Sequence, residues 1–466
     1  MPLRFGTDGV RGVANTELTP EVVLALGRAT ARVLGGPALV MGRDTRRSGP
    51  LLSSALAAGV AAEGVAVIDL GVVPTPAVAF ASEDMGVAGA VVSASHNPFP
   101  DNGVKLFEPG GRKLGVDAER RLEAEVAALL GGPGAGARPA PTGAGVGPIA
   151  ADRAVVARYV DHLLSSLEGR RLEGLKVVVD CGNGAAFEMA PQVLRGLGAG
   201  VEVINDEPDG TNINSGCGST DLTGLQEAVR AAGADAGIAF DGDADRVLAV
   251  DNQGEVVDGD RILALCAGDL HQRGRLRGDT VVVTVMANLG LWQAMAEQAI
   301  NVHETPVGDR HVLEALEAGG WSLGGEQSGH LVFRDLATTG DGILTAIQVL
   351  DLVRRRGRSL AELAGAAMRR VPQVLHNVEV SDRDVLTRSR AVQEELAAVR
   401  AELGDSGRVL LRPSGTEPLV RVMVEAPTEE AARAAAQRLA EAVVRADGAA
   451  GAPAADGVSG PAHTDH

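Results

Sequence analysis

Three aspartates occupy alternate positions in "FDGDADR", residues 240–246, directly after the apolar run "AGIAF". In an extended segment Asp241, Asp243 and Asp245 point to one side; in a loop they curl around one point. Left bare they repel one another, and a hard divalent cation with oxygen ligands resolves the repulsion. An EF-hand is excluded, because its sixth loop position requires Gly and its twelfth Glu, whereas Arg246 and Asn252 stand there. Few carboxylates and no dedicated cage suit Mg²⁺, which keeps water or phosphate oxygens in its other positions. The plainer alternative is a solvated acidic turn.

A second chemical stretch is "LLRPSGTEPLVRV", where Arg412, Ser414, Gly415, Thr416 and Arg421 gather two guanidiniums, two hydroxyls and turn amides within ten residues. Guanidinium forks match phosphate oxygens, and a Gly-containing turn aims N–H groups at an anion, so this is the best phosphate clamp in the chain. In "GGEQSGH" (324–330), Glu326, Gln327, Ser328 and His330 lie between glycines, a loop able to read sugar hydroxyls or an amine. "FGTDGVRG" (5–12) offers Thr7 and Arg11 to an anion, or is a tight turn.

The fifth stretch is "GAVVSASHNPFPDNGVKLF" (89–107). Ser95 ends an apolar run, which places its hydroxyl at the C-terminal edge of a strand, where open α/β sheets put ligand sites. No G-x-S-x-G elbow surrounds it, so an acyl-transfer hydrolase is disfavoured. Neighbours on extended chain point opposite ways, so a dyad of Ser95 with His96 is not expected. Ser93 is not read as catalytic. Lys105, near a metal and other cations, is read as an amine of lowered pKa able to transfer a proton, against the plainer solvated lysine.

The elements that hold these stretches follow a βαβ rhythm. Strand-like "ALVMG" (38–42), helical "SGPLLSSALAAGVAAEG" (48–64), strand-like "VAVIDLG" (65–71) and "VAGAVVSAS" (87–95) imply a largely parallel sheet buried on both faces. A Gly/Pro/Ala stretch at 131–148 reads as a linker. The rhythm resumes to about 252 and again from 279 to about 370. From 376 it changes to strands around a helix pair. The expected organisation is residues 1–150, 151–252 and 253–371 as three α/β domains with mostly parallel mixed sheets, 372–447 as a smaller α+β domain, and 448–466 as a disordered tail.

Composition sets bounds on partners. The 466 residues are 45% hydrophobic with a net charge of −18, which opposes a general grip on nucleic acid or acidic membrane. Two Trp, one Tyr and seven Phe are few for stacking on bases. Cys181, Cys217 and Cys266 form no CxxC, so neither a disulfide framework nor structural zinc is expected. The N-terminus lacks a signal-peptide layout and no run approaches the ~18 apolar residues of a membrane span, so a cytoplasmic location is expected.

Six of these pieces together, "FGTDGVRG", "SASHNPFPDNGVKLF", "DGDADR", "VGDR", "GGEQSGH" and "RPSGTEPLVRVM", stand in one order from residue 5 to residue 423 and resemble the α-D-phosphohexomutase superfamily, most closely its bacterial phosphoglucosamine mutases. The resemblance implies three similar α/β domains and a smaller α+β domain around a central cleft. It places a phosphoserine on Ser95, Mg²⁺ on Asp241, Asp243 and Asp245 with Ser95, sugar contacts on Glu326, Ser328 and His330, and phosphate contacts on Arg412, Ser414, Gly415, Thr416 and Arg421. Arg11, Lys105 and Arg246 match positions near the reacting phosphate. The implied activity interconverts glucosamine 6-phosphate and glucosamine 1-phosphate through a sugar 1,6-bisphosphate, which also serves as activator. The product would feed amino-sugar nucleotide and cell-wall precursor synthesis. A phosphosugar is the only partner implied, with the protein a monomer or homodimer. His311 departs from the aromatic residue common after "GDR". The alternative within the superfamily is a phosphomannomutase or phosphoglucomutase; outside it, a sugar phosphatase using Ser95 or a non-catalytic phosphosugar-binding protein.

Overall fold

The computed structural model describes residues 3–6, 8–131, 139–381, 389–413 and 419–450. Residues 1–287 with 294–368 form one compact unit; 288–293 with the chain from 369 form a second.

The first unit contains three sheets. In the first, Ala38–Arg43 pairs in parallel with Ala66–Val72 and with Ala88–Val92. Asp101–Glu108 returns antiparallel beside Ala88–Val92, and Val10–Val13 pairs antiparallel with it at the edge. The all-apolar "AGAVV" of Ala88–Val92 is buried at every position, as a strand covered on both faces must be. Helices Pro20–Leu34, Gly49–Ala61 and Val116–Leu130 enclose one core with these strands. Pro20–Leu34 and Gly49–Ala61 cross where Gly27 and Gly59 meet: a Cβ on Gly59 would stand 2.2 Å from Leu24 O, and one on Gly27 2.3 Å from Leu56 O.

The second sheet pairs Lys176–Asp180 in parallel with Gly200–Ile204 and Ala236–Phe240, and Val247–Asp251 returns antiparallel on the last. The third pairs Thr280–Thr284 in parallel with Asn301–Thr305 and Leu323–Gly325, and Leu331–Phe333 returns antiparallel. One topological position therefore recurs in all three sheets: a buried parallel strand, a loop, and an antiparallel return. The three loops are residues 93–100, 241–246 and 326–330, the stretches that carry Ser95, the three aspartates and Glu326 to His330.

The expected boundary at 150/151 falls within a strand. Ile149–Ala151 pairs in parallel with Val67, Ile68 and Asp69 at the edge of the first sheet, because the chain after the glycine-rich stretch returns to satisfy that edge. The next helix, Ala154–Ser165, then leans on Thr75–Met85 through Phe80 and Tyr159, whose rings lie 5.5 Å apart.

The second unit is a three-stranded antiparallel sheet in the order Gln373–Glu379, Leu419–Glu425, Arg408–Pro413, packed on helices Arg390–Leu403 and Glu429–Ala450 around a core of Val and Ala. It is the expected α+β domain. Its last helix runs to Ala450, past the expected tail start at 448, where Gly448 is followed by two alanines, the residue type with the highest helix propensity. The rest of the tail and the centre of the 131–148 stretch lie outside the described residues.

Candidate active site

Ser95 stands just beyond Ala88–Val92 with φ +52°, a left-handed conformation that costs a non-glycine residue of order 1–3 kcal/mol. Its N–H donates to Ser93 Oγ at 2.9 Å, and Ser93 Oγ donates to Asp44 Oδ2 at 2.7 Å. Ser95 Oγ donates to Asp241 Oδ2 at 2.6 Å. His96 Nδ1 lies 3.3 Å from Ser95 Oγ, contrary to the expectation that the two side chains diverge. That expectation assumed extended backbone; the left-handed residue folds the neighbours onto one side. Burial, then Arg246 and Arg11, push the His96 imidazole down to about 4, so it is neutral near pH 7.

The three aspartates are buried, and each offers an oxygen within 4.8 Å of the others'. Their loop carries a second left-handed non-glycine residue, Ala244 at φ +56°, which curls the acids inward. Asp243 Oδ2 accepts from Thr75 Oγ1 at 2.6 Å and from Lys105 Nζ at 2.7 Å; Asp245 Oδ2 accepts from Lys105 Nζ at 2.8 Å. Burial, then Asp245 and Asp243, push the Asp241 carboxyl up to about 8. Burial acts in the same sense on Asp245, but Lys105 and His330 outweigh it and hold that carboxyl well below its usual range.

Lys105 reverses its expected direction. Burial alone would depress its pKa, yet Asp243 and Asp245 outweigh it and hold the ammonium well above the ordinary amine range. The sequence reading lacked the two carboxylates that clasp it.

The donor set fits a hard cation. Asp243 Oδ1 and Asp245 Oδ1 are buried without a hydrogen-bond partner among the described residues, and all the clustered ligand atoms are carboxylate oxygens. Lys105 pairs with Asp243 and Asp245 through their Oδ2 atoms and leaves these two Oδ1 atoms without a hydrogen bond among the described residues.

The third loop packs on the second: Val247 N donates to Gly329 O at 3.0 Å, and Gly342 N to Ala244 O at 3.0 Å. His330 is thereby buried with Nδ1 3.7 Å from Asp245 Oδ1 and Nε2 3.8 Å from Asp309 Oδ2. Burial would lower its pKa, but Asp245 and Asp309 raise it above the ordinary value. Glu326 Oε1 accepts from Gly308 N at 3.0 Å, while Ser328 is exposed. Arg11 Nη2 pairs with Asp8 at 3.2 Å, and Arg246 N donates to Asp241 Oδ1 at 3.1 Å. His311 pairs at 3.6 Å with Glu314 on its own helix, which leaves it no visible part in the cluster.

In the second unit, Arg412 and Arg421 face each other directly across two strands. Burial, then Arg421, lowers the pKa of Arg412. Ser414, Gly415 and Thr416 lie outside the described residues.

Sequence reading missed Asp44, Arg46, Thr75 and Asn214. Arg46 and Asp44 form a fully buried ion pair at 2.8 Å beneath the serine loop. Asn214 Nδ2 donates to Ser95 O at 2.9 Å. The available signal was "GRDTR" (42–46), charges placed directly after a buried parallel strand.

Four family models match in chain order: phosphoglucomutase/phosphomannomutase alpha/beta/alpha domain I at residues 2–130, domain II at 157–254, domain III at 258–371, and the C-terminal domain at 375–442. A phosphoglucosamine mutase of Symbiobacterium thermophilum is 54% identical over 91% of this chain and 95% of its own. One of Thermobifida fusca is 54% identical over 94% and 97%. A phosphoglucomutase/phosphomannomutase family protein of Burkholderia thailandensis has a similar crystal structure, with TM-score 0.80 and 27% identity over 95% of this chain and 97% of that one. With its loops assembled as above and four matched domains, the chain belongs to the phosphohexomutase superfamily and, within it, to the bacterial phosphoglucosamine mutases, which are isomerases.

Proposed function

We propose that Ser95 carries the phosphoryl group that this mutase transfers, and that Asp241, Asp243 and Asp245 hold Mg²⁺ beside it. The supporting observation is the 2.6 Å contact of Ser95 Oγ with Asp241 Oδ2 inside a buried acidic cluster. A serine outside any G-x-S-x-G elbow suits this role, since the charged enzyme already holds the group to be moved. The bound cation would supply charge stabilisation at phosphate oxygens.

The phosphoserine gives its phosphoryl group to the C1 hydroxyl of glucosamine 6-phosphate. The P–Oγ bond breaks, a P–O1 bond forms, and the hydroxyl proton ends on Ser95 Oγ through a general acid/base of the site. The resulting 1,6-bisphosphate turns end for end, its 6-phosphoryl group returns to Ser95 and glucosamine 1-phosphate leaves. Lys105 and Arg11 offset charge on the moving group. Glu326, Ser328 and His330 bind the sugar. Arg412 and Arg421, with Ser414, Gly415 and Thr416, hold the phosphate that is not reacting.

The domains proposed are 1–150, 151–252, 253–371 and 372–447, the first extended by the strand ending at Ala151. No described helix is long and apolar enough to cross a membrane; a cytoplasmic location is our reading.

The decisive experiment is phosphopeptide analysis of purified protein together with an assay on glucosamine 6-phosphate. Phosphate is expected on Ser95, and Ser95→Ala is expected to lose isomerisation while keeping its fold. A fully active Ser95→Ala protein, free of wild-type enzyme, overturns the assignment.

A further inference from the structure

Arg46 is the largest fully buried side chain among the described residues, and its place is directly under the serine loop. Its five guanidinium N–H groups are all committed. Nε donates to Asp44 Oδ2 at 2.8 Å. Nη1 donates to Pro98 O at 2.5 Å and Asp101 O at 3.0 Å. Nη2 donates to Ser95 O at 2.9 Å and Asn97 O at 2.8 Å. A guanidinium has no sixth donor, so this arginine, though it touches the carrier serine's own carbonyl, has nothing left for a phosphate.

The same cluster controls the other side of the Ser95 peptide. Asp44 Oδ2 also accepts from Ser93 Oγ, which in turn accepts the Ser95 N–H. Both backbone polar groups of Ser95 are thus tied to one buried unit, its carbonyl to Arg46 and its N–H to Asp44 through Ser93. Asn214 adds a bond to the same carbonyl from the second sheet's side. Left-handed serine is intrinsically unfavourable, so it persists only where surroundings over-determine it. Here they do, and the conformation they enforce is the one that turns Oγ towards Asp241 at 2.6 Å.

We infer that Arg46, acting with Asp44 and Ser93, is a positioning residue: it fixes the left-handed backbone of Ser95 so that the transferred group is presented to the acidic cluster, and it does not bind phosphate itself. This rests on Ser95 being the carrier. It assigns catalytic weight to a residue that touches neither substrate nor reacting atoms.

The test is Arg46→Lys, which keeps the charge but has three N–H donors and cannot span four carbonyls and a carboxylate. A misplacement of about 1 Å at a reacting centre costs on the order of 10²-fold, so kcat should fall roughly that much while KM for glucosamine 6-phosphate stays within about threefold. Ser93→Ala, which removes the acceptor for the Ser95 N–H together with the hydroxyl that donates to Asp44 Oδ2, should lower kcat in the same pattern by about tenfold. The double variant should lose little more than Arg46→Lys alone, because residues acting as one unit are not additive. A raised KM with unchanged kcat in Arg46→Lys would make Arg46 a phosphate or substrate ligand and overturn the inference. A lowered melting temperature with both constants retained would make Arg46 merely structural, and would overturn it equally. If Arg46→Lys does not fold, Ser93→Ala decides alone: unchanged kcat there refutes positioning. Phosphopeptide analysis of the same wild-type preparation separates the two readings, because absence of phosphate at Ser95 defeats the carrier assignment whereas its presence with an unaffected Arg46→Lys defeats only this inference.

Discussion

Asp241, Asp243 and Asp245 are the residues whose chemistry is hardest to satisfy by protein alone. Lys105 pairs with Asp243 and Asp245, yet two carboxylate oxygens remain without hydrogen-bond partners among the described residues. A ligand that binds only the native state stabilises it by RT ln(1 + [L]/Kd), about 2.7 kcal/mol at a hundred times Kd. Mg²⁺ added to chelator-stripped protein is therefore expected to raise the melting temperature and restore mutase activity, and Asp243→Ala is expected to lose both responses. Calorimetry with and without Mg²⁺ checks it; an equal thermal shift in Asp243→Ala would place the cation elsewhere. Lys105 shows how a residue's properties depend on company: its type suggested an amine of lowered pKa, whereas its two carboxylate partners hold the ammonium well above the ordinary amine range.

Elements position these residues by close approach. The serine loop and the aspartate loop meet at Gly242, where an added Cβ would stand 2.6 Å from Ser95 O. Gly242→Ala must push the two loops apart, so activity is expected to fall by about 10²-fold with a smaller effect on folding. Steady-state kinetics beside a denaturation curve measure the two. At the crossing of Pro20–Leu34 with Gly49–Ala61, where the glycines meet helix backbone and no site residue, the balance inverts. Gly59→Ala brings a Cβ to 2.2 Å from Leu24 O, and overpacking of this kind costs typically about 1–3 kcal/mol with kcat unaffected in the folded fraction. Urea unfolding should show that loss.

Across the whole molecule, buried charged groups tie distant segments of the first unit together and set its response to pH. Tyr159 Oη, on the helix after the first sheet, donates to Asp341 Oδ2 at 2.7 Å, while Asp341 Oδ1 caps the helix Gly342–Arg356 by accepting from Leu344 N at 2.9 Å. Burial raises the Asp341 carboxyl from its ordinary 3.8 to about 6, the hydrogen bonds opposing it only in part. The native state then holds a proton that the unfolded chain releases at lower pH. This contribution is present below about pH 4 and is lost as pH rises through about 6. The stability of wild type relative to Asp341→Asn, which keeps the cap but cannot titrate, should fall between about pH 4 and 7 by on the order of 1–3 kcal/mol. Denaturant titrations at several pH values test this; parallel curves would refute it. Asp269, whose pKa is lowered despite burial by Arg355, Arg273 and Arg356, works in the opposite sense and favours unfolding in acid.

Much of this was written along the chain. The βαβ rhythm, the antiparallel C-terminal domain, the acidic triplet and the serine at a strand end are local patterns, and local patterns survive in sequence because periodicity and spacing reflect which face each side chain occupies. Tertiary structure decided what no spacing encodes. Arg46 and Asp44 sit about fifty residues from Ser95, Thr75 and Lys105 reach acids more than a hundred residues on, and the closeness of His96 to Ser95 depends on one left-handed backbone angle. Sequence by itself determined the inventory of charges, hydroxyls and turns, since those follow from residue type. Only the packing of three sheets, which brings three equivalent loops edge to edge, decided which charges neutralise one another and which stay free to act, because pairing energies depend on distance and burial rather than on position in the chain.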